Sequence, residues 1–204
     1  MKSLKSMVFL LCLLPLVLLG WDGYTDNLGA NPIETITRAT GKWTLNLLLV
    51  TLAITPLRKI SGWQSLIKFR RMLGLFAFFY ACLHFTTYVW LDQFFEIPSM
   101  VKDIVKRPFI TVGFASFALL IPLAVTSTSG MIRRLGKRWK QLHRLVYASA
   151  TGGVLHFLWL VKADIRRPVL YGGILALLLA CRLVLGRSWI TTLKVAGKNL
   201  SASS

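Results

Sequence analysis

LGKRWKQLHRLVYASATGGVLHFLW occupies Leu135–Trp159 and carries two of the chain's three histidines, His143 and His156. Five cations crowd its beginning: Arg133, Arg134, Lys137, Arg138 and Lys140. From Leu142 onward it is an apolar run without an acid, and it reads as one membrane-spanning helix holding both histidines. The third histidine, His84, also lies in an apolar run. Ionisable groups inside a membrane span are costly, so each marks a candidate functional position.

The rest of the chain has the same character. Of its 204 residues, 55% are hydrophobic and only 16% charged, where a soluble domain carries about a quarter charged. Six apolar runs predict an all-α integral membrane protein built as a six-helix bundle. They span about residues 7–21, 43–57, 72–91, 109–126, 142–161 and 168–185, and the whole chain reads as one domain. The first run resembles a signal peptide, but Leu18 and Gly20 make no small-x-small cleavage site, so it is read as an uncleaved span. Asn31 before Pro32 has the form of an N-cap with proline at the first helical position, so the second helix is expected to begin there.

A net charge of +18 would indicate a nucleic-acid partner in a soluble protein. Here the cations cluster in alternate loops, which argues for membrane lipid rather than nucleic acid. The N-terminus, Arg58–Arg71, the loop through Arg144 and the tail from Arg182 carry 17 of the 25 cations, placing both termini on the cytoplasmic side. All seven acids fall in the opposite loops. The three cysteines sit in separate runs with no CxxC, which excludes a disulfide framework, a zinc ribbon and a c-type haem attachment. No GxGxxG, P-loop or internal repeat is evident.

Depth then pairs two of the histidines. His84 lies 13 residues past Arg71 and His156 lies 15 past Gln141, or about 20 and 22 Å along helices entering from the same side. Two imidazoles at one level across a bundle suit the axial positions of a b-type haem. His143 sits near the cytoplasmic rim with Arg70 and Arg71 opposite it. Arg70 shares the face of His84 and suits a haem propionate better than iron, because arginine stays protonated. On an ideal helix His143 and His156 are about 140° apart, so either Gly152-Gly153 permits a bend or the two sites lie on different sides of the helix. The plainer readings are packing or proton-relay histidines, an ordinary topology signal for the basic block, and interfacial anchoring for Trp139 and Trp159. A small proton-coupled transporter or scaffold is the corresponding alternative function.

ITPLR (Ile54–Arg58), RRMLGL (Arg70–Leu75), KRPFITVG (Lys106–Gly113), TSTSGMIRRLGKRWKQLHRLVY (Thr126–Tyr147) and LHFLW (Leu155–Trp159) together resemble the MsrQ (YedZ) family. This family belongs to the ferric-reductase-like transmembrane superfamily. The resemblance implies a haem-binding inner-membrane subunit that passes electrons from the quinone pool or a cytosolic flavin reductase to MsrP, a periplasmic molybdopterin enzyme repairing methionine sulfoxide. It implies one or two b-type haems, with FMN as an associated cofactor. His84 and His156 match the haem ligands, His143 a second haem site, and Arg70, with Arg71 beside it, an arginine near that site. Relatives that oxidise NADPH add a soluble flavin domain, so the donor here is expected to be a separate protein or a quinol. A cytochrome b serving a different dehydrogenase is the nearest rival reading.

Overall fold

A computed structural model describes residues 2–161 and 164–201, with side chains described for 3–161 and 164–184. Every regular element among them is helical. The long helices are α1 (Lys2–Tyr24), α2 (Pro32–Ser61), α3 (Ile67–Thr86), α5 (Pro108–Val125), α8 (Leu145–Leu160) and α9 (Arg166–Ser201). Three short helices lie in connections: α4 (Ile97–Lys106), α6 (Ser129–Leu135) and α7 (Lys137–Leu142).

Helix boundaries follow local chemistry. Asn31 caps α2 as expected, its side chain accepting from the Glu34 amide at 3.2 Å, with Pro32 in the first turn. Gly62, at φ 71°, closes the other end in the left-handed conformation that glycine adopts freely. A 3-10 turn at Gln64–Leu66 leads into α3, and Thr87–Asp92 prolongs α3 as a π-helix. The Thr87 hydroxyl donates to the carbonyl of His84 at 2.8 Å, just where the pitch widens.

Four segments are long and apolar enough to cross a bilayer: Ser3–Tyr24, Gln64–Asp92, Pro108–Val125 and Arg166–Val184. The other two expected spans differ in kind. α2 is 30 residues long, but its first turns read IETITRATGK. α8 has only 16 residues, about 24 Å against a hydrocarbon core of about 30 Å. Both are inner helices. α2 contributes Leu45, Leu48, Leu52 and Ile54 to the core, and α8 contributes Val146, Ala150 and Val154.

α2, α3, α5 and α8 form a four-helix centre. α2 packs on α3 and α5 on α8; α3–α5 and α2–α8 contacts close the ring, so α3 and α8 face each other diagonally. α9 lies against α2 and α8, fixed partly by the Tyr171 hydroxyl donating to Asn46 Oδ1 at 2.6 Å. α1 is tethered by the buried Tyr80 of α3, whose hydroxyl donates to the Cys12 carbonyl at 2.8 Å.

Gly152-Gly153 lies inside α8, which is helical throughout. The glycines allow close packing. A Cβ on Gly152 would collide with Ser116 Oγ, and one on Gly153 would meet Leu45 Cδ1 at 3.0 Å. Ser149 crosses the same α5–α8 seam, donating to the Ser116 carbonyl at 2.9 Å. One sequence expectation needs correcting: His143 is not part of helix α8. It caps α7 in a tight turn before α8, so the azimuth calculated on one ideal helix does not apply. The turn has a local cause. The Trp139 carbonyl accepts from both the backbone amide and Nδ1 of His143, and the Arg144 amide falls back on Gln141 at 3.1 Å.

Candidate functional site

His84 on α3 and His156 on α8 meet across the diagonal of the four-helix centre. Their ring centroids are 6.2 Å apart, with the planes at 72°. Each ring is anchored from behind in the same way. His84 Nδ1 is 2.9 Å from the Thr37 carbonyl of α2, and His156 Nδ1 is 2.7 Å from the Phe109 carbonyl of α5. A carbonyl accepts only, so both Nδ1 atoms carry the proton and both Nε2 lone pairs are free.

Sequence spacing explains the likeness. In each case 47 residues separate the carbonyl from its histidine. A glycine lies one helical turn beyond each carbonyl, Gly41 and Gly113, and the histidine ring rests on it. A Cβ on Gly41 would be 3.0 Å from His84 Cε1, and one on Gly113 would be 2.7 Å from His156 Nδ1. The α2–α3 and α5–α8 pairs are therefore two copies of one device, a histidine seated on a glycine and tied to a carbonyl. The likeness is one of geometry at the two histidines. It is faint in residue identity: at an offset of 72, Gly41 matches Gly113 and Leu83-His84-Phe85 matches Leu155-His156-Phe157, with few other identities between.

Phe109 flanks the pair, its ring centroid 6.2 Å from that of His156, and phenylalanines of α3 and α5 stack on one another between those helices. Phe85 stacks on Phe117 at 4.9 Å, Phe117 on Phe78 at 6.0 Å, and Phe114 lies 6.0 Å from Phe85. Among the described residues no cluster of three or more His, Cys, Asp or Glu side chains exists, so the pair is not part of an all-protein metal cage. The donor set is two neutral imidazoles facing each other. A metal–imidazole bond is about 2.0–2.1 Å, and each nitrogen lies about 1.1 Å from its ring centroid, so one metal between two such rings separates the centroids by about 6.3 Å. The observed 6.2 Å fits a single ion bound axially, with its equatorial positions left to a macrocycle.

The second predicted site is built differently. His143 stacks on Trp139, with centroids 3.9 Å apart at 26°, and its Nε2 lies 3.5 Å from Ser127 Oγ. Trp139 is held in turn by Nε1 donating to the Thr126 carbonyl at 2.9 Å. Trp139 is thus a packing partner of His143 and not simply an interfacial anchor. Arg70 points inward, where His143 feels its charge, beside Tyr147 and two further arginines, Arg58 and Arg182. Arg71 points outward and reaches only Ser129 Oγ at 3.4 Å. The structure therefore unites His84 with His156, brings Arg70 towards His143, and leaves Arg71 apart.

This arrangement coincides with the comparisons to known proteins. The family described as "Ferric reductase like transmembrane component" matches residues 40–154, running from α2 to α8. A "Protein-methionine-sulfoxide reductase heme-binding subunit MsrQ" from Herminiimonas arsenicoxydans is 61% identical over 182 residues, covering 88% of this chain and 84% of that protein. The chain belongs to the MsrQ family. Proteins of the same name from Rhodospirillum rubrum and Azospira oryzae are 58% and 53% identical, over 87% and 90% of the chain and 86% and 80% of their own lengths. No solved structure matches. The MsrQ family assignment agrees with the ITPLR, RRMLGL and LGKRWKQLH segments that carry the resemblance in the sequence.

Proposed function

We propose that this chain is the membrane electron-transfer subunit of a methionine sulfoxide reductase system, holding b-type haem between His84 and His156. It spans the inner membrane six times as one domain, both termini cytoplasmic. It takes electrons from the quinone pool or a cytosolic flavin reductase and delivers them to MsrP, the periplasmic molybdopterin enzyme. The names of its relatives supply the haem and the reductase system; charge segregation supports the orientation. FMN enters only through the family resemblance. One observation carries the site: two imidazoles, each tied at Nδ1 to a backbone carbonyl, with centroids 6.2 Å apart.

Bound there, haem supplies a one-electron centre. The chain's own contribution follows from the geometry. The Thr37 and Phe109 carbonyls fix the tautomer, aim each Nε2 at the space between the rings and make each imidazole a stronger donor. Gly41 and Gly113 let the rings settle against α2 and α5, so their positions are set by backbone rather than by mobile side chains. Phe78, Phe85, Phe114 and Phe117 join α3 to α5 through apolar ring contacts, and Phe109 flanks His156. A proton relay would need acidic or hydrated partners beside the histidines. All seven acids lie at helix ends or in the connections instead.

The test is absorption spectroscopy of the purified chain from haem-replete cells. A Soret band that shifts on dithionite reduction, and is lost in His84→Ala and His156→Ala, is expected. A colourless wild-type protein would overturn the proposal.

A further inference from the structure

Five buried side-chain polar atoms among the described residues have no hydrogen-bond partner: Thr55 Oγ1, Arg58 Nε, Tyr88 Oη, Tyr147 Oη and Arg182 Nη1. Four of the five gather at the cation-rich end of the bundle, on α2, α8 and α9. Arg58 and Thr55 are one helical turn apart on α2 and share a face. Arg182 lies over the Tyr147 ring, with its guanidinium carbon 4.8 Å from the centroid. Arg70 of α3 faces both Arg58 and Arg182 and lies beside Tyr147. Two guanidinium groups, from α3 and α9, thus meet at one phenol, with that of Arg58 within electrostatic reach of Arg70.

No carboxylate pairs with them among the described residues. The only ion pairs formed by acidic side chains among the described residues are Arg38–Glu34 and Arg107–Asp103, both elsewhere. The seven acids all lie in or beside the connections at the opposite end. A buried lysine or histidine can shed its proton, but arginine cannot. Three partly buried, permanently charged groups, two of them with idle donors, call for an anion between them.

We propose that Arg58, Arg70, Arg182 and Tyr147 form a binding site for an oxyanion, the carboxylate or phosphate of a ligand seated beside His143. Guanidinium forks suit both, since each presents parallel N–H donors to two oxygens. The ligand is separate from anything held by His84 and His156. Arg70 precedes His84 by 14 residues, about 21 Å along α3, which exceeds the radius of a macrocycle. The site does not depend on haem at the His84–His156 pair, so the two proposals can fail independently. Two sources carry the required group at this end of the bundle: the carboxylates of a porphyrin seated at His143, and the phosphate of an acidic lipid.

The experiment uses the full chain in uncharged detergent. Its thermal unfolding midpoint is followed against inorganic phosphate, with chloride holding ionic strength constant. The expected rise is roughly 3–6 °C for each tenfold increase above the dissociation constant. Arg58→Gln with Arg182→Gln abolishes the rise, and Arg182→Lys, which keeps the charge but not the fork, weakens it. Two further arms identify the source. Stabilisation by haem but not by its dimethyl ester assigns the porphyrin carboxylates. Stabilisation by phosphatidylglycerol over phosphatidylcholine assigns the lipid phosphate. A wild type indifferent to phosphate, to esterification and to lipid charge overturns the proposal. So does a double Gln variant that responds as the wild type does. If that variant does not fold, the wild-type and Arg182→Lys responses decide.

Discussion

Replacing Gly113 with alanine should damage haem binding far more than fold stability. The added Cβ would stand 2.7 Å from His156 Nδ1, 3.0 Å from Cε1 and 3.1 Å from Cγ. Ordinary carbon contacts begin near 3.4 Å, so the ring must retreat by about 0.7 Å. The atom under most pressure is the one bonded to the Phe109 carbonyl at 2.7 Å. That displacement exceeds the roughly 0.5 Å within which a site must be held, and it strains a hydrogen bond whose loss typically costs 10–100-fold in metal affinity. Overpacking costs about 1–3 kcal/mol, offset by about 1 kcal/mol of helix propensity gained over glycine. Haem affinity, measured by Soret titration of apoprotein, should therefore fall roughly 10–100-fold while circular dichroism keeps its helical signal. Gly41→Ala is the internal control. Its Cβ would lie 3.0 Å from His84 Cε1, a shortfall of about 0.4 Å, so its effect should be smaller. A Gly113→Ala protein that binds haem as the wild type does, or is less affected than Gly41→Ala, would refute the reasoning.

Other substitutions probe the frame around the site. Gly152→Ala should destabilise the chain by about 1–3 kcal/mol in denaturant titration, because its Cβ collides with Ser116 Oγ; adding Ser116→Ala should recover part of the loss. Tyr80→Phe removes the bond to the Cys12 carbonyl and should cost about 0.5–1.5 kcal/mol by the same assay. Trp139→Ala removes both the stack on His143 and the Nε1 bond to Thr126, for an expected loss of about 1–3 kcal/mol, whereas Trp139→Phe keeps the stack and should lose less.

The sequence makes the level of His84 and His156 legible because depth along a helix depends only on residue count and rise. It also makes the Asn31-Pro32 start of α2 legible, because capping is a local matter. The turn at His143 is hidden, since LHRLVY continues an apolar run and the break depends on an imidazole competing for the Trp139 carbonyl. Gly41 and Gly113 stand at matching positions before their histidines, but their purpose appears only when the rings pack onto them. Arg58 and Arg182 count in the sequence as topology signals. Their convergence on Arg70 and Tyr147 requires the packing of α9 against α2 and α8, which no local pattern encodes. The short α8 and polar-headed α2 look like weak spans for the same reason: inner helices bury their faces in protein.

The central claim, one iron held between His84 and His156, is tested most directly by low-temperature electron paramagnetic resonance of the oxidised protein. Two neutral imidazoles with planes at 72° predict a low-spin ferric signal of the highly anisotropic kind given by near-perpendicular ligand planes, lost in His84→Ala and His156→Ala. A high-spin signal alone in the wild type, or a low-spin signal that survives both substitutions, would contradict it.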